Sequence, residues 1–182
     1  MTTYAPPTAD MKFAAMKLGG FAEIAALPGG EDLSEDLLET ILEEGGKFAA
    51  GVLAPLNPVG DKDGAKLVEG GVKTSPGWQE AYRQFVEGGW NAVAFDPDYG
   101  GQGLPWLIST ALQDMWHASN MAFALCPMLT QAAVEAVSQY GSDEQKQKYL
   151  AKLISGEWTG TMNLTEPQAG SDLARVRTSA VR

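Results

Sequence analysis

Apolar residues recur at helical spacing through most of the chain, and the period changes only near its end. Pro6 and Pro7 keep the first seven residues extended. Thr8 or Asp10 caps a short helix reaching Leu18, which Gly19-Gly20 ends. A second short helix covers 21–27 and stops at Pro28-Gly29-Gly30. Asp32 and Glu35 have the spacing of a capping box. They open a long helix to about Leu53, whose apolar face carries Leu37, Leu38, Ile41, Leu42, Phe48, Val52 and Leu53 opposite a row of acids. Gly45-Gly46 in its middle reads as a weak point or a close-packing site. Pro55, Asn57 and Pro58 are expected to terminate it.

Residues 57–76 read as loop. Pro76-Gly77 then starts a helix bearing Trp78, Tyr82, Phe85 and Val86, closed by Gly88-Gly89. A Gly-rich connection at 90–104 leads to Pro105, suited to the first turn of a helix reaching about Ser119. A further helix spans 126–140, with Pro127 in its first turn. Ser142 caps the next, with Asp143 and Glu144 near its N-terminus and Lys148 and Lys152 toward its end. Six or more helices are thus expected before residue 156. From Glu157 the period becomes two: Thr159, Thr161, Asn163 and Thr165 alternate with Trp158, Gly160, Met162 and Leu164, which predicts a strand over 157–165. The chain has no internal repeats.

Composition removes several function classes. With 45% hydrophobic and 20% charged residues the chain reads as a soluble globular protein. A net charge of −10 argues against nucleic acid, whose phosphates require clustered Lys and Arg. The single cysteine, Cys126, excludes an intrachain disulfide and fits a reducing compartment. The N-terminus lacks a basic-then-apolar leader pattern and no continuous run of about twenty apolar residues occurs, so no membrane span is expected and a cytoplasmic location is the default.

The chemistry concentrates in residues 161–172, Thr-Met-Asn-Leu-Thr-Glu-Pro-Gln-Ala-Gly-Ser-Asp. Pro, Gly, Ser and Asp are ordinary turn formers, and a turn accounts for any one of them. A planar ligand accounts for the string. Thr165 carries a hydroxyl able to donate and accept. Leu164 and Pro167 form a stiff apolar strip. Gly170 allows close approach, with positive φ if required, and Ser171 presents a hydroxyl and an N–H to a pyrophosphate or thioester tail. Gly100, Gly101 and Gly103 lack the spacing of a dinucleotide loop and read as a structural turn. His117, the single histidine, has no partners for a metal or a nucleophile triad and reads as structural.

The T-E-P-x-A-G-S-D core at 165–172 resembles the signature of the acyl-CoA dehydrogenases, flavoproteins that desaturate acyl-CoA thioesters. The resemblance covers nearly the whole chain. Residues 141–158, with Gly-Ser-Asp-Glu-Gln-Lys-Gln-Lys-Tyr-Leu and Gly156-Glu157-Trp158, are similar to the family's helix leading into its flavin strand. Phe95-Asp96-Pro97-Asp98-Tyr99-Gly100-Gly101-Gln102-Gly103 is similar to its P-x-x-Y-G-G-x-G loop. Tyr4-Ala5-Pro6-Pro7 with Asp10-Met11-Lys12-Phe13, and Ala54-Pro55-Leu56-Asn57 with Gly60-Asp61, look like the long subfamily with an extra N-terminal segment.

That resemblance implies a mainly α architecture. An N-terminal extension with short helices would occupy 1–32, the family's helical N-terminal domain 33–156, and the start of a truncated middle β-domain 157–182. It implies FAD as cofactor, with Met162, Leu164, Thr165, Gly170 and Ser171 at the flavin, and Met162 standing where some members have an aromatic. Ser171 would also reach the acyl-CoA substrate, whose acyl pocket Ala124, Leu125 and Met128 would line; plain core packing is the competing reading of those three. The family's base is a glutamate from a C-terminal domain, so no catalytic residue is assigned here and Glu166 is read as a structural acceptor. An electron-transfer flavoprotein as electron acceptor and homo-oligomerisation of the complete enzyme are likewise implied. The chain stops about ten residues past Asp172, so a fragment, a truncated product or half of a split enzyme is expected, inactive alone. The alternative is a non-catalytic helical interaction module.

Overall fold

A computed structural model describes residues 4–181. Seven α-helices and one small hairpin are found among them: α1 (Thr8–Lys17), α2 (Phe21–Ala25), α3 (Glu35–Phe48), α4 (Ala54–Asp63), β1 (Lys66–Val68), β2 (Gly71–Lys73), α5 (Trp78–Glu87), α6 (Trp106–Tyr140) and α7 (Asp143–Ile154). The mainly helical expectation holds, and four local expectations are corrected.

The first correction is the start of α3. Ser34, not Asp32, caps it, with the Ser34 hydroxyl accepting the Leu37 N–H at 3.1 Å. Leu38 and Leu42 then face the core. Gly45 lies directly under α6: a Cβ there would collide with Leu112 and touch the Trp116 ring. The glycine pair is therefore a close-packing site, and Gly46 receives the Pro6 ring in the same way.

The second correction concerns the prolines. The helix does not stop at Pro55. Residues Ala49–Leu53 open into a π-helix, Ala54 N–H reaches back to the Ala49 carbonyl, and α4 continues with Pro55 in its first turn and Pro58 inside. A proline ring clashes with the preceding turn of a regular α-helix, and the wider π turn relieves that clash where Pro55 enters. Gly64, at φ 62°, ends the helix.

Third, the helices expected over 105–119 and 126–140 are one element, α6, broken by a kink at Asn120 (φ −159°, ψ 84°). The buried Asn120 amide donates to the Leu53 carbonyl at 3.2 Å, and its Oδ1 accepts the Phe123 N–H at 3.1 Å. One side chain thus caps the second half of α6 and ties the kink to the π segment. That second half begins at the kink, so Cys126 and Pro127 fall inside it.

Phe48, Phe85, Trp90, Trp116 and Phe123 meet at the centre, with Phe48–Trp116 centroids 5.5 Å apart and Phe85–Phe123 5.8 Å apart in edge-to-face contact. Ile108, Leu112, Met115 and Trp116 line α6 along this core. By length and composition α6 could cross a membrane, contrary to the expectation of no such span. Its kink, its Asp114, His117 and Glu135, and its packing against α3 and α4 make it the central helix of a folded bundle. A second cluster of Ala92, Phe95, Val134, Leu150, Leu153 and Ile154 seats α7 on the far end of α6.

Finally, residues 157–165 do not form a strand: they have no ladder partner among the described residues. Alternating side chains specify a strand only when a neighbour supplies the donors and acceptors of a ladder. Strand structure appears instead in the segment expected as loop, where Leu67 pairs with Val72 and Lys66 with Lys73 in an exposed antiparallel hairpin.

Candidate functional site

The approach to residues 161–172 is held from three sides. The buried Asn91 amide donates to the Leu153 carbonyl at 2.8 Å and the Ile154 carbonyl at 3.1 Å, satisfying the end of α7. Tyr82 on α5 donates its hydroxyl to the Gly156 carbonyl at 3.0 Å. Gly156 itself turns at φ 76°, where a side chain would be strained and would strike Val86. Trp158 packs on Tyr149 with centroids 6.1 Å apart, and the Lys152 ammonium lies 4.4 Å above the Trp158 ring.

The chain then crosses α6. Gly160 donates its N–H to the Thr130 hydroxyl at 3.1 Å, and that hydroxyl donates to the Cys126 carbonyl at 3.0 Å. The approach is too close for a side chain: a Cβ at 160 would lie 2.5 Å from the Ala133 Cβ. Beyond this contact the segment faces outward. Met162 is 64% exposed and Leu164 42% exposed, and Thr165 is exposed beside them. At the tip, Glu166 and Ala169 exchange both backbone hydrogen bonds at 3.0 Å across Pro167-Gln168, and the Ala169 side chain is buried.

Glu166 is fully used as an acceptor. Its carboxylate takes the Thr178 hydroxyl at 2.5 Å, the Thr178 N–H at 2.8 Å, the Arg177 N–H at 3.0 Å and the Gln168 amide. Those donors, the Thr178 hydroxyl foremost and the two backbone N–H groups next, pull its pKa from 4.5 down to about 2. A carboxylate held there is a poor base. Because the folded-state value lies below the unfolded one, this stabilisation is present above about pH 4.5 and is lost as pH falls through about 2. The Arg177 and Thr178 amides are therefore expected to lose hydrogen-exchange protection over that window. In Glu166→Gln the acid-dependent loss should vanish; an unchanged acid profile in that variant would contradict the assignment.

The other candidates make local contacts within the fold. The His117 ring nitrogen Nδ1 lies 2.7 Å from the Gln113 carbonyl, which can only accept, so Nδ1 carries a proton and donates back along its own helix. In the glycine-rich turn, Gln102, Gly101, Gly103 and Leu104 donate their N–H groups to the carbonyls of Ala92, Asp96, Phe95 and Val93, leaving none of these four for a phosphate. No cluster of His, Cys, Asp and Glu suited to a metal is found among the described residues. Burial raises the Cys126 thiol pKa, which weakens it as a nucleophile.

The predicted substrate residues divide. Ala124 is buried in the aromatic core, whereas Leu125 is exposed and Met128 half-buried. Gly170 needs no special conformation: its φ is not positive and a Cβ would meet nothing within 4 Å. Ser171 is exposed beside it. Asn91, Tyr82, Thr130 and Gly160, which hold the segment in place, were not singled out by sequence. The wide separations between Asn91 and Leu153 and between Tyr82 and Gly156 carry no local signal.

The helical bundle with an exposed segment after its last helix defines the class of domain, a mainly helical N-terminal domain, in which the comparisons place the chain. Residues 39–157 match the family described as acyl-CoA dehydrogenase, N-terminal domain. The chain belongs to the acyl-CoA dehydrogenase family. It is 45% identical over 179 residues to 3-methylmercaptopropionyl-CoA dehydrogenase of Ruegeria pomeroyi, a match covering 98% of this chain and 30% of that protein. Among solved structures it superposes on the glutaryl-coenzyme A dehydrogenase–glutaryl-CoA complex with TM-score 0.67 and 25% identity, covering 80% of this chain and 35% of that one. It also superposes on an acyl-CoA dehydrogenase complexed with FAD from Bacillus anthracis with TM-score 0.62 and 23% identity, covering 80% and 23% respectively. The chain thus spans about a third or less of the length of these relatives.

Proposed function

We propose that this chain forms the N-terminal helical part of an FAD-dependent acyl-CoA dehydrogenase that desaturates an acyl-CoA thioester between Cα and Cβ. The observation that carries the reading is the outward-facing strip 161–171, fixed to α6 at Gly160 and turned back at Glu166–Ala169, inside a chain of this family. The residues present fit a flavin. Met162 and Leu164 offer exposed apolar side chains for one edge of a planar ring, Thr165 offers a hydroxyl next to them, and open space surrounds Gly170 before Ser171.

Bound there, FAD supplies the oxidant for the desaturation. This chain's residues bind, orient and exclude water. Leu164 and Met162 shield their side of the ring, and Thr165 pairs its hydroxyl with a ring heteroatom. Ser171 donates its hydroxyl and N–H to phosphate or thioester oxygens, and Leu125 and Met128 support the acyl chain with Ala124 behind them. Glu166 holds the turn and takes no proton from substrate, because four donors stabilise its charged form. The electron acceptor in this reading is an electron-transfer flavoprotein.

The test is flavin binding, followed by absorbance near about 450 nm. In Thr165→Val the hydroxyl is lost at nearly constant shape, which costs roughly 1–3 kcal/mol where a ring atom is left unpaired. Flavin affinity should fall about tenfold or more. His117→Gln, away from the segment, should bind flavin as the parent does. Full flavin affinity in Thr165→Val, or no flavin uptake by the parent, would overturn the reading.

A further inference from the structure

A groove of about 420 Å³ runs between α1 and α3. Ala9, Phe13, Met16 and Leu42 give it an apolar surface, and Phe13 is 61% exposed. Its rim is charged, with Lys12 and Lys17 on α1 and Glu35, Glu39 and Glu43 on α3. The two helices run antiparallel: Thr8 lies beside Gly46, while Lys12 bonds Glu39 at 2.5 Å and Glu35 at 2.9 Å. Lys17, further along α1, therefore stands at the Glu35 end. Among the described residues Lys17 and Glu43 have no ion-pair partner, and Lys47, four residues past Glu43, is taken by Glu44 at 2.6 Å. The groove thus keeps a cation at one end and an anion at the other. Glu35 and Glu43 are eight residues apart, about 12 Å at 1.5 Å per residue.

The hairpin carries the reverse pattern. Every residue of β1 and β2 is exposed, and Leu67, paired across the strands with Val72, is 88% exposed. A two-stranded hairpin with both faces in water is marginally stable, so an apolar pair at its centre calls for a cover. Lys66 and Lys73 sit directly opposite each other, a like-charge pair that is unfavourable without a nearby anion. Glu69 stands in the turn, three residues from Lys66, about 10 Å at the strand rise. Along the hairpin the order is two cations, an apolar pair and an anion. Along the groove, from Glu43 to Lys17, it is an anion, apolar side chains and a cation. The two match in sign, order and length. The hairpin does not fill the groove of its own molecule, because Leu67 and Phe13 both remain exposed.

We infer that the hairpin of one copy of this chain lies in the α1–α3 groove of a second copy. Leu67 and Val72 rest against Phe13 and Met16, Lys66 and Lys73 reach Glu43, and Glu69 meets Lys17. The lysine stems are long enough to bring their ammonium groups to the rim from the outer face of the hairpin. Each copy owns one hairpin and one groove, so a two-fold axis satisfies both at once and closes the assembly at two. Two contacts of this size make a weak dimer. The interface uses no residue of the proposed flavin or acyl contacts.

The experiment is sedimentation velocity of the full chain at low salt, from about 1 μM to about 300 μM. The expected result is a monomer–dimer equilibrium with nothing larger. Leu67→Ser on the hairpin and Phe13→Ser on the groove should each weaken it about a hundredfold or more, since a two-fold interface counts every change twice. Lys73→Glu and Glu43→Lys should each weaken it about fivefold, and the double variant should recover the parental constant to within about threefold. All four side chains are exposed, so each variant should melt as the parent does, which is checked alongside. A parent that stays monomeric throughout would overturn the inference and leave both surfaces to a different partner. A dimer that survives Leu67→Ser and Phe13→Ser would place the contact elsewhere. Species growing beyond two would overturn the two-fold closure, and a double variant no better than either single one would overturn the pairing of hairpin with groove.

Discussion

Gly160→Val is expected to lift the signature segment off α6. The new Cβ would lie 2.5 Å from the Ala133 Cβ and 3.2 Å from both the Leu129 carbonyl oxygen and the Thr130 Cα. Two of these three atoms are backbone, so no side-chain rotation relieves the clash. Moving the segment away breaks the Gly160–Thr130 hydrogen bond. Overpacking of this kind costs about 1–3 kcal/mol, and the lost bond adds about 1 kcal/mol. Flavin uptake should fall well over tenfold, because Met162, Leu164 and Thr165 all hang from this anchor. Gly170→Val is the informative contrast. Nothing lies within 4 Å of a Cβ at 170, so the melting temperature should hold to within about 1 °C while flavin uptake drops. The outcome that would sink this account is a Gly160→Val protein with parental stability and unchanged Thr130 and Ala133 amide shifts.

Asn120→Leu should be the most destabilising single substitution outside the aromatic core. It leaves the Leu53 carbonyl and the Phe123 N–H without their partner inside the fold, where each previously had one at 3.2 and 3.1 Å. It also removes the cap of the second half of α6. Capping is worth about 1 kcal/mol and each stranded buried group about 1–3 kcal/mol, so a loss of roughly 3–4 kcal/mol is expected. For a chain of this size that lowers the melting temperature by about 10 °C. Asn120→Ser, which can still cap but cannot reach Leu53, should cost about half as much. Equal melting temperatures for the parent and Asn120→Leu would show that the kink is not held by this side chain.

The two substitutions probe features that differ in how far sequence reveals them. The helices at 8–17, 21–25, 78–87 and 143–154 follow from local rules: Gly breaks, apolar spacing, and a Ser142–Gln145 capping box in which each residue's side chain takes the other's backbone N–H. The turn at 95–104 was legible because Asp, Pro and Gly each have few alternatives there. The signature was legible as a string, since seven residue types in a fixed order exceed what a turn requires. Its geometry was not, because the hold on it comes from Asn91, Tyr82 and Thr130, which are far away in sequence and ordinary in type.

What the sequence determined by itself was the helical class and most helix boundaries, both of which depend on residues within one or two turns of each other. What only the tertiary structure decided was where local rules yield to neighbours. Pro55 failed to stop a helix because a π turn made room for it. Asn120 became a kink because Leu53 offered an acceptor. Residues 157–165, patterned as a strand, took a path without a ladder because their contacts are α6, α7 and solvent rather than another strand. In each case the deciding hydrogen bond or steric contact joins residues that only folding brings together, and no window along the chain contains both partners.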